Sequence, residues 1–373
     1  MPGRGLRRAG ASAGHVPDEH HVRDRGGPNL QYELRQQVIE ARRQTFDHLI
    51  ERLGDRPATR YEEGTIAVQA EEHFHYRPLW APDRELYDRR YSELRLTDPY
   101  SFLDPRQYYY YPYVSARATL HAELSATLAY LEQRDLLAKM PEAWRTGLLE
   151  GVLPLRHYEA GAAMASEAAC RFSYGASVAQ CAAFAGFDRI GAAQMLSRIG
   201  LSLDGSTADS LRAAKQHWLT SSSWQPLRRY VEELLVIDDW AVGLVAVDLV
   251  DSLTYPVVWR SLDEAALTGG AGAYSLLGQH FTAWYEDQRK WLDALYAAWL
   301  ADPEQGKANA SVLLGIVDAW LPRAREAVSL FSGPLRLAAG DALLDAVIDA
   351  AYAEVTERLA TLGLEPAHVG AGR

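Results

Sequence analysis

The chain has 373 residues, of which 48% are hydrophobic and 23% are charged, and its formal net charge is -11. A chain of this length and apolar content can bury a substantial core. The negative charge argues against binding to nucleic acid, because contacts to the phosphate backbone depend on basic patches. The two cysteines, Cys170 and Cys181, are too few for a disulfide framework and lack C-x-x-C spacing.

Neither a signal peptide nor a membrane span is predicted. Residues 1–29 contain no apolar run after the arginines at their start. The most apolar stretch, 240–247, is bounded by aspartates, whereas a span needs roughly 20 apolar residues. We therefore expect a cytoplasmic protein without membrane contact. Residues 1–29 are also rich in Gly, Arg, His and Pro without periodicity, which predicts a disordered tail.

Residues 30–105 predict a helix followed by a long arm. The helix is expected over 32–53 and is ended by Gly54 and Pro57. Prolines then recur through 55–105 among many aromatic residues, and proline breaks helices. The pattern predicts a mostly extended segment, which needs a surface to pack on because irregular segments this long are uncommon in compact domains. Its aromatic residues suggest that a partner chain supplies part of that surface.

Residues 106–365 predict a single helical domain. Leu120, Leu124, Leu128 and Leu131 form the stripe of a helix buried on one face. Val347, Ala351, Val355 and Leu359 continue a four-residue repeat from Leu343, and the glycines at 269–272 predict a connector. Ser206 with Asp209 resembles a capping box. Further helices are expected at 142–151, 154–171, 173–199, 206–221, 224–254, 274–301, 307–330 and 335–362. The fold class is therefore all-α, a large helical bundle preceded by an arm.

The helices do not carry the ligand pattern of a diiron centre. Such a site takes a Glu from each of two helices and Glu-x-x-His from each of two others. Glu72 and His75 match this spacing but lie in the proline-rich arm, and Glu365 and His368 enclose a proline near the C-terminus. His157 and Glu159 are two positions apart, so they point in different directions on a helix.

Other chemistries also lack their motifs. The helix expected over 224–254 has no histidine, and its acids are interpreted as ordinary solvated or helix-pairing positions. No nucleophile elbow, phosphate-binding loop or zinc helix is found. The histidines at 15, 20 and 21 fall in the predicted tail, and the cysteines fit small buried positions. We predict no catalytic, cofactor-binding or metal-binding residue in this chain.

The tyrosine run 108–111 predicts a different kind of site. Consecutive helical positions are about 100° apart, so these four rings cannot all face solvent on one side. Some rings must enter the core, and the others favour a subunit interface, where tyrosine supplies rigid contact area with a polar tip. A helix start packed on all sides and an interface are both compatible with the pattern. Together with the arm, this gives a predicted interface of Arg77, Trp80, Tyr87, Arg106, Tyr108, Tyr109 and Tyr110.

Five blocks in collinear order resemble the beta subunits of soluble diiron multicomponent monooxygenases, most closely those of the phenol hydroxylase type. Residues 74–88 resemble the arm of these subunits, and 104–110 resemble their Asp-Pro-Arg-Gln-aromatic-Tyr-Tyr element. Residues 153–161, 196–205 and 224–232 are similar to further shared blocks. Residues 1–29 have no counterpart, and the stretch 170–186 is richer in Ala and Cys than the family pattern.

The resemblance implies a ferritin-like, ribonucleotide-reductase-like bundle that holds no iron. It implies a dimer of alpha-beta-gamma protomers, with the diiron centre in the alpha subunit. A small effector protein and a reductase with FAD and a [2Fe-2S] cluster, fed by NAD(P)H, would complete the system. The expected role is a non-catalytic subunit of a complex that hydroxylates phenol or a related aromatic compound. The alternatives are the same role in a toluene, alkene or propane monooxygenase, a stand-alone diiron protein, or a free-standing helical binding protein.

Overall fold

The structure is a computed structural model that describes residues 46–54 and 56–366. Contacts divide the chain into two units, Met1–Pro57 and Ala58–Arg373. In the first unit, helix α1 (Asp47–Leu53) ends at Gly54, whose positive φ of 68° suits glycine. This is the described part of the helix expected over 32–53. The predicted disordered tail 1–29 lies outside the described residues.

The second unit is helical, and the described part of the chain contains no strand, so the predicted all-α class is confirmed. Short π-helical turns follow α5 and α10, and 3-10 turns lie in the arm and before α14. The helices are α2 (Arg60–Glu63), α3 (Tyr110–Gln133), α4 (Leu136–Lys139), α5 (Glu142–Thr146), α6 (Leu155–Phe172), α7 (Ala176–Leu203), α8 (Asp209–Thr220), α9 (Gln225–Leu234), α10 (Trp240–Tyr255), α11 (Asp263–Thr268), α12 (Gly272–Ala301), α13 (Gly306–Phe331), α14 (Arg336–Ala339) and α15 (Asp341–Thr361).

Helix α10 lies at the centre of this unit. Every residue from Trp240 to Tyr255 is buried except the half-buried Val242, and α6, α12, α13 and α15 pack around it. The segment Trp240–Thr268 is long and apolar enough to cross a membrane, but 94% of its most apolar window is buried inside the fold. It is therefore apolar because it is surrounded by other helices.

Helices α6 and α7 pack as a close pair, and glycines allow the approach. A Cβ atom built on Gly186 of α7 would lie 3.2 Å from Glu167 Cγ and 3.7 Å from the Ala163 carbonyl oxygen. On another side of α6, a Cβ atom at Gly161 would lie 2.2 Å from Val231 Cγ1 of α9. Helices can cross this closely only where side chains are small.

The predicted arm is present, and its inner side joins the core of its own chain. Tyr91, Leu94, Leu96 and Phe102 are each less than 8% exposed. Polar side chains of the bundle then hold the arm backbone between 93 and 97. The N–H groups of Glu93, Arg95 and Thr97 donate to Asp239, Asn309 and Asp302, respectively. The amide of Asn309 also donates to the carbonyl oxygen of Arg95 at 2.7 Å.

Three predicted helix boundaries are wrong, one of them that of 335–362, which is divided at Gly340, whose φ is 90°, into α14 and α15. The segment 224–254 forms two helices, α9 and α10, because the carboxylate of Asp239 caps a new helix by accepting from the N–H groups of Ala241 and Val242. Helix α8 begins at Asp209 rather than at 206, and Ser206 and Ala208 have positive φ. There Asp204, rather than a capping box, accepts from the N–H groups of Thr207 and Ser210.

The predicted apolar stripes are largely confirmed. Leu124, Leu128 and Leu131 of α3 are buried, and Leu120 is partly buried against the core. In α15 the buried positions continue as predicted to Leu359, but the repeat starts at Leu344 rather than at Leu343, which is 37% exposed. Of the predicted connector 269–272, residues 269–271 lie between α11 and α12, and Gly272 begins α12.

Candidate functional site

A buried charged cluster joins the core helices and is the candidate functional site. It consists of Glu159 from α6, Arg189 from α7 and Asp251 from α10, each no more than 4% exposed. Arg189 Nη1 donates to Glu159 Oε2 and to Asp251 Oδ1, both at 3.0 Å, while Nη2 donates to Asp251 Oδ2. The Arg189 guanidinium also lies 4.8 Å from the ring centroid of Trp284 on α12. We call this set the central triad.

Two tyrosines add hydrogen bonds to the carboxylates of the central triad. The hydroxyl of Tyr158 donates to Asp251 Oδ1 at 2.6 Å, and that of Tyr255 donates to Glu159 Oε1 at 2.7 Å. Asp251 and Tyr255 lie one helical turn apart on α10 and therefore share a face. Both carboxylates thus have partners from two other helices, which is what buried charges require.

The electrostatics of the central triad keep Arg189 charged. Burial lowers the pKa of the Arg189 guanidinium, but the carboxylates of Asp251 and Glu159 outweigh burial and hold this pKa well above its usual value. Burial raises the pKa of Glu159, and the Arg189 guanidinium opposes that rise. Burial also raises the pKa of Tyr158 and Tyr255, so both phenols stay neutral and act as donors.

The donor set of the central triad does not fit a diiron centre. Such a centre draws carboxylates from four helices and a histidine from two of them. Here α6 and α10 each supply one carboxylate, α7 supplies a guanidinium and α12 a tryptophan ring. Among residues 46–54 and 56–366, no group of three or more His, Cys, Asp or Glu side chains could hold a metal ion. A guanidinium repels a metal cation, and the Arg189 guanidinium already binds both carboxylates. The central triad therefore offers no set of ligands to a metal ion.

A second charged cluster fixes the end of the arm to α3, α7 and α12. Arg117 donates to Asp188 Oδ1 at 2.7 Å and to Asp287 Oδ2 at 2.8 Å. Arg106 donates to the same Asp287 oxygen at 3.2 Å and to Asp104 at 3.0 Å. The side chain of Arg106 is 3% exposed. This predicted interface residue therefore already has carboxylate partners within its own chain.

The other predicted interface residues divide into an exposed and a half-buried set. Trp80 is 55% exposed and Tyr110 is 73% exposed, and Arg77 is exposed while donating to Glu85. Tyr87 lines an open groove of the arm with Phe74, Tyr100 and Tyr174. Tyr108 and Tyr109 are half-buried, and the Tyr108 ring centroid lies 4.6 Å from the Arg106 guanidinium. Of the predicted interface residues, Arg106 and Tyr108 therefore contact each other.

Of the two Glu-x-x-His matches, only Glu72 and His75 lie wholly within the described residues. Glu72 and His75 are exposed in the arm, and His368 lies outside the described residues. His157 is half-buried beside Trp218, with ring centroids 5.9 Å apart, whereas Glu159 belongs to the central triad. Burial lowers the pKa of His157 to about 4.

The sequence does not reveal the central triad, because the acids of 224–254 are interpreted from it as ordinary solvated or helix-pairing positions. Asp248 and Asp251 are 1% and 4% exposed, so neither is a solvated position, and both pair with arginines of other helices. Asp248 pairs with Arg289 and Arg358 and accepts a hydrogen bond from Tyr296. A usable signal was present, since two aspartates interrupt an otherwise apolar helix and such charges must find buried partners. No single-sequence pattern identifies Arg189 as that partner.

Comparison with known proteins gives a consistent family. The Methane/Phenol/Alkene Hydroxylase family matches residues 80–303. The oxygenase component DmpL of phenol 2-monooxygenase from Pseudomonas sp. (strain CF600) is 36% identical over 337 residues, covering 90% of this chain and 99% of that protein. The hydroxylase component small subunit of propane 2-monooxygenase from Mycolicibacterium goodii is 24% identical over 283 residues, covering 72% of this chain and 76% of the relative.

Solved structures agree on the fold. The crystal structure of xenon-pressurized phenol hydroxylase from Pseudomonas sp. OX1 contains a chain with a TM-score of 0.81 and 34% identity, covering 88% of this chain and 98% of that one. A chain of toluene 4-monooxygenase shares the fold with a TM-score of 0.67 at 19% identity, covering 80% and 99%. The helical bundle is therefore ferritin-like, as the resemblance implied. The chain belongs to the methane/phenol/alkene hydroxylase family, as a subunit of the phenol hydroxylase type.

Proposed function

We propose that this chain is the non-catalytic beta subunit of a cytoplasmic hydroxylase that converts phenol or a related aromatic compound with O2 and NAD(P)H. The observation that carries the proposal is Arg189, whose guanidinium lies between the carboxylates of Glu159 and Asp251 in the ferritin-like core. A permanent internal cation neutralises these carboxylates, whereas a diiron centre needs carboxylates that are free to bind iron. The chemistry of oxygen activation then belongs to a diiron centre in the alpha subunit.

In this proposal the chain acts by holding a partner rather than by binding substrate. Its rigid core of paired charges fixes α6, α7, α10 and α12, and the arm extends the surface that a partner can cover. The proposed assembly is an (alpha-beta-gamma)2 dimer that works with an effector protein and a reductase carrying FAD and [2Fe-2S]. The predicted interface residues, above all Trp80, Arg77 and Tyr110, remain part of this proposal.

The branch of the family is proposed by comparing the sequence identities that this chain shares with members of different branches. Identity is 36% with a phenol 2-monooxygenase component and 24% with a propane 2-monooxygenase small subunit. Phenol hydroxylation is therefore favoured over the toluene, alkene and propane alternatives. A stand-alone diiron protein is disfavoured by the donor set of the central triad.

Iron analysis of the separated subunits tests the proposal. The chain is produced alone and together with the alpha and gamma subunits from the same source, and iron is measured by mass spectrometry after gel filtration. We expect far less than one iron per isolated chain and about two irons per alpha subunit in the complex. About two irons on the isolated beta chain, or failure to co-purify with alpha, would contradict the proposal.

A further inference from the structure

Two π-helical turns adjoin the two helices that supply the carboxylates of the central triad. The first π turn, Gly147–Val152, lies between α5 and α6, and the second π turn, Pro256–Arg260, directly follows α10. A π turn takes in more residues than an α-helical turn, and such turns occur frequently at functional sites. In both cases the N–H group just after the turn donates to a carbonyl oxygen five positions earlier, Leu153 to Leu148 at 2.9 Å and Ser261 to Pro256 at 2.8 Å.

Prolines explain why the helix widens at these two places. A proline inside an α-helix has no N–H group to donate and clashes with the carbonyl group four positions earlier. Pro154 stands four positions after Glu150, and Pro256 is the first residue of the second π turn. The carbonyl oxygen of Glu150 therefore cannot receive the hydrogen bond that an α-helix would give it. Pro154 belongs to the block 153–161, and the widened turn gives this part of the block a structural reason.

Buried aromatic side chains of neighbouring helices donate to one carbonyl oxygen in each π turn. The indole Nε1 of Trp224, just before α9, donates to the Glu150 carbonyl oxygen at 2.8 Å. The hydroxyl of Tyr274 on α12 donates to the Val258 carbonyl oxygen. Both Trp224 and Tyr274 are completely buried. Because a buried carbonyl oxygen without a partner is costly, these two donors stabilise the widened form of each turn.

Packing fixes both donors in place. The Trp224 ring stacks on Phe331 of α13 with centroids 4.7 Å apart. The Tyr274 ring centroid lies 5.0 Å from that of Trp144 in α5 and 5.6 Å from that of Trp259 in the second π turn. Tyr274 therefore contacts the helix that leads into the first π turn as well as the second π turn itself.

The width of the π turns determines the direction in which the triad carboxylates point. One residue corresponds to about 100° of rotation and 1.5 Å of rise along an α-helix. If the first π turn closed to α-helical spacing while α5 stayed in place, Glu159 would rotate away from Arg189, whose Nη1 now lies 3.0 Å from it. The same change in the second π turn would rotate Asp251 away from Arg189. All three charges would then remain buried without their partners.

We propose that the two π turns set the register of α6 and α10 around Arg189, and that Trp224 and Tyr274 are the positioning residues that hold these turns open. The charges of the central triad are then aligned by two neutral hydrogen-bond donors that lie outside it. This inference concerns the chain itself and is independent of the proposed role beside an alpha subunit.

The test is a double-mutant cycle on the full-length chain, measured by urea unfolding at neutral pH. Trp224→Phe keeps an aromatic ring and removes the donor. It is made in the unaltered chain and in a neutral background that carries Glu159→Gln, Arg189→Met and Asp251→Asn. In the unaltered chain we expect the equilibrium constant for unfolding to rise about 100-fold, because a carbonyl oxygen loses its partner and the charges are misaligned. In the neutral background it should rise only about tenfold, because the hydrogen bond alone is lost.

Tyr230→Phe is the matched control, since Tyr230 is a buried tyrosine that donates to the Ala246 carbonyl oxygen, at 2.8 Å, within the α-helical part of α10. Its effect should be the same in both backgrounds to within about twofold. Tyr274→Phe should behave like Trp224→Phe, and its cycle decides the question if Trp224→Phe does not fold.

Equal effects of Trp224→Phe in the two backgrounds would overturn the inference, because Trp224 would then be a buried donor without influence on the central triad. A crystal structure of the Trp224→Phe variant gives a second, independent result. We expect it to show a narrowed first π turn and a displaced Glu159. If the turn keeps its width and Glu159 still contacts Arg189, the inference is wrong.

Discussion

Arg189 sits between two carboxylates that come from different helices, and none of the three groups has access to water. Buried ion pairs of this kind rarely add much stability compared with apolar residues of similar volume, because removing charges from water is costly. Losing one member is different, since it leaves the others buried without compensation. The central triad is therefore a point where one substitution should have a large effect, while a coordinated set of substitutions should not.

Replacing Arg189 by Met should lower the free energy of unfolding by about 3–5 kcal/mol, because Glu159 and Asp251 would remain buried without their cation. The measurement is urea unfolding of the isolated chain at neutral pH. Arg229→Met is the control for loss of an arginine, since Arg229 is exposed and pairs with Glu233 only at the surface. Its effect should be much smaller.

A neutral version of the central triad separates the role of charge from the role of shape. The triple variant Glu159→Gln, Arg189→Met, Asp251→Asn removes all three charges and keeps side chains of similar volume. It should recover most of the stability that Arg189→Met alone loses, because no uncompensated charge remains. If the triple variant is as unstable as Arg189→Met, packing rather than charge explains the loss.

At the scale of single helices, sequence periodicity predicted which apolar side chains pack inward. It did not predict which polar side chains pair with one another. The stripe from Leu120 to Leu131 and the repeat ending at Leu359 identified the buried faces of α3 and α15, because apolar burial repeats with the helical period. Helix α10 has no such stripe, since it is buried on all sides. The partners of its Asp251 come from α6 and α7 some 60 to 90 positions earlier in the chain, and such long-range pairs leave no local pattern.

The crossing of α6 and α9 gives a prediction at this scale. Replacing Gly161 by Ala should destabilise the chain by about 1–3 kcal/mol, because the new Cβ atom would lie 2.2 Å from Val231 Cγ1. Val231 is β-branched and cannot rotate away freely. Thermal unfolding measures the loss, and adding Val231→Ala should restore part of it.

Gly243→Ala is the matched control, since Gly243 is also a buried helical glycine. Its nearest neighbour is Ala165 Cβ at 4.0 Å, an ordinary contact. The better helix propensity of alanine should make this variant neutral or slightly more stable. Equal melting of Gly161→Ala and Gly243→Ala would show that the α6–α9 crossing tolerates a side chain.

At the scale of the whole molecule, the sequence predicted the class and the two-part organisation, an aromatic arm and a helical bundle. It could not predict how the arm is held. Asp239, Asn309 and Asp302 reach its backbone from helix ends and connectors of the bundle, and each is an unremarkable polar residue in the sequence. Likewise Arg106, predicted at an interface, contacts Asp287 far along the chain. Such contacts depend on the complete three-dimensional packing.

The outer side of the arm remains available for a partner. Leu79 is 94% exposed, and beside it Trp80 is 55% exposed, while its ring contacts Tyr91 and Phe172 with centroids 5.7 and 5.4 Å away. Truncating Trp80 to Ala, or Arg77 to Ala, should therefore affect assembly with the alpha subunit more than the folding of the chain. We expect the dissociation constant to rise at least tenfold, or about 1.4 kcal/mol, because aromatic and arginine side chains often dominate interfaces.

Leu79→Ser separates assembly from folding most sharply, because a side chain this exposed has little packing to lose within its own chain. Val236→Ser is its control, since Val236 is 78% exposed in the connector after α9 and lies outside the arm. Gel filtration of each variant with alpha and gamma measures assembly, and thermal melting of the isolated chain measures folding. The Leu79→Ser and Trp80→Ala variants should assemble with alpha and gamma less than the Val236→Ser variant does. The Leu79→Ser variant should nevertheless melt at the same temperature as the unaltered chain. Normal assembly of the arm variants would mean that the arm packs only on its own bundle and that alpha binds elsewhere.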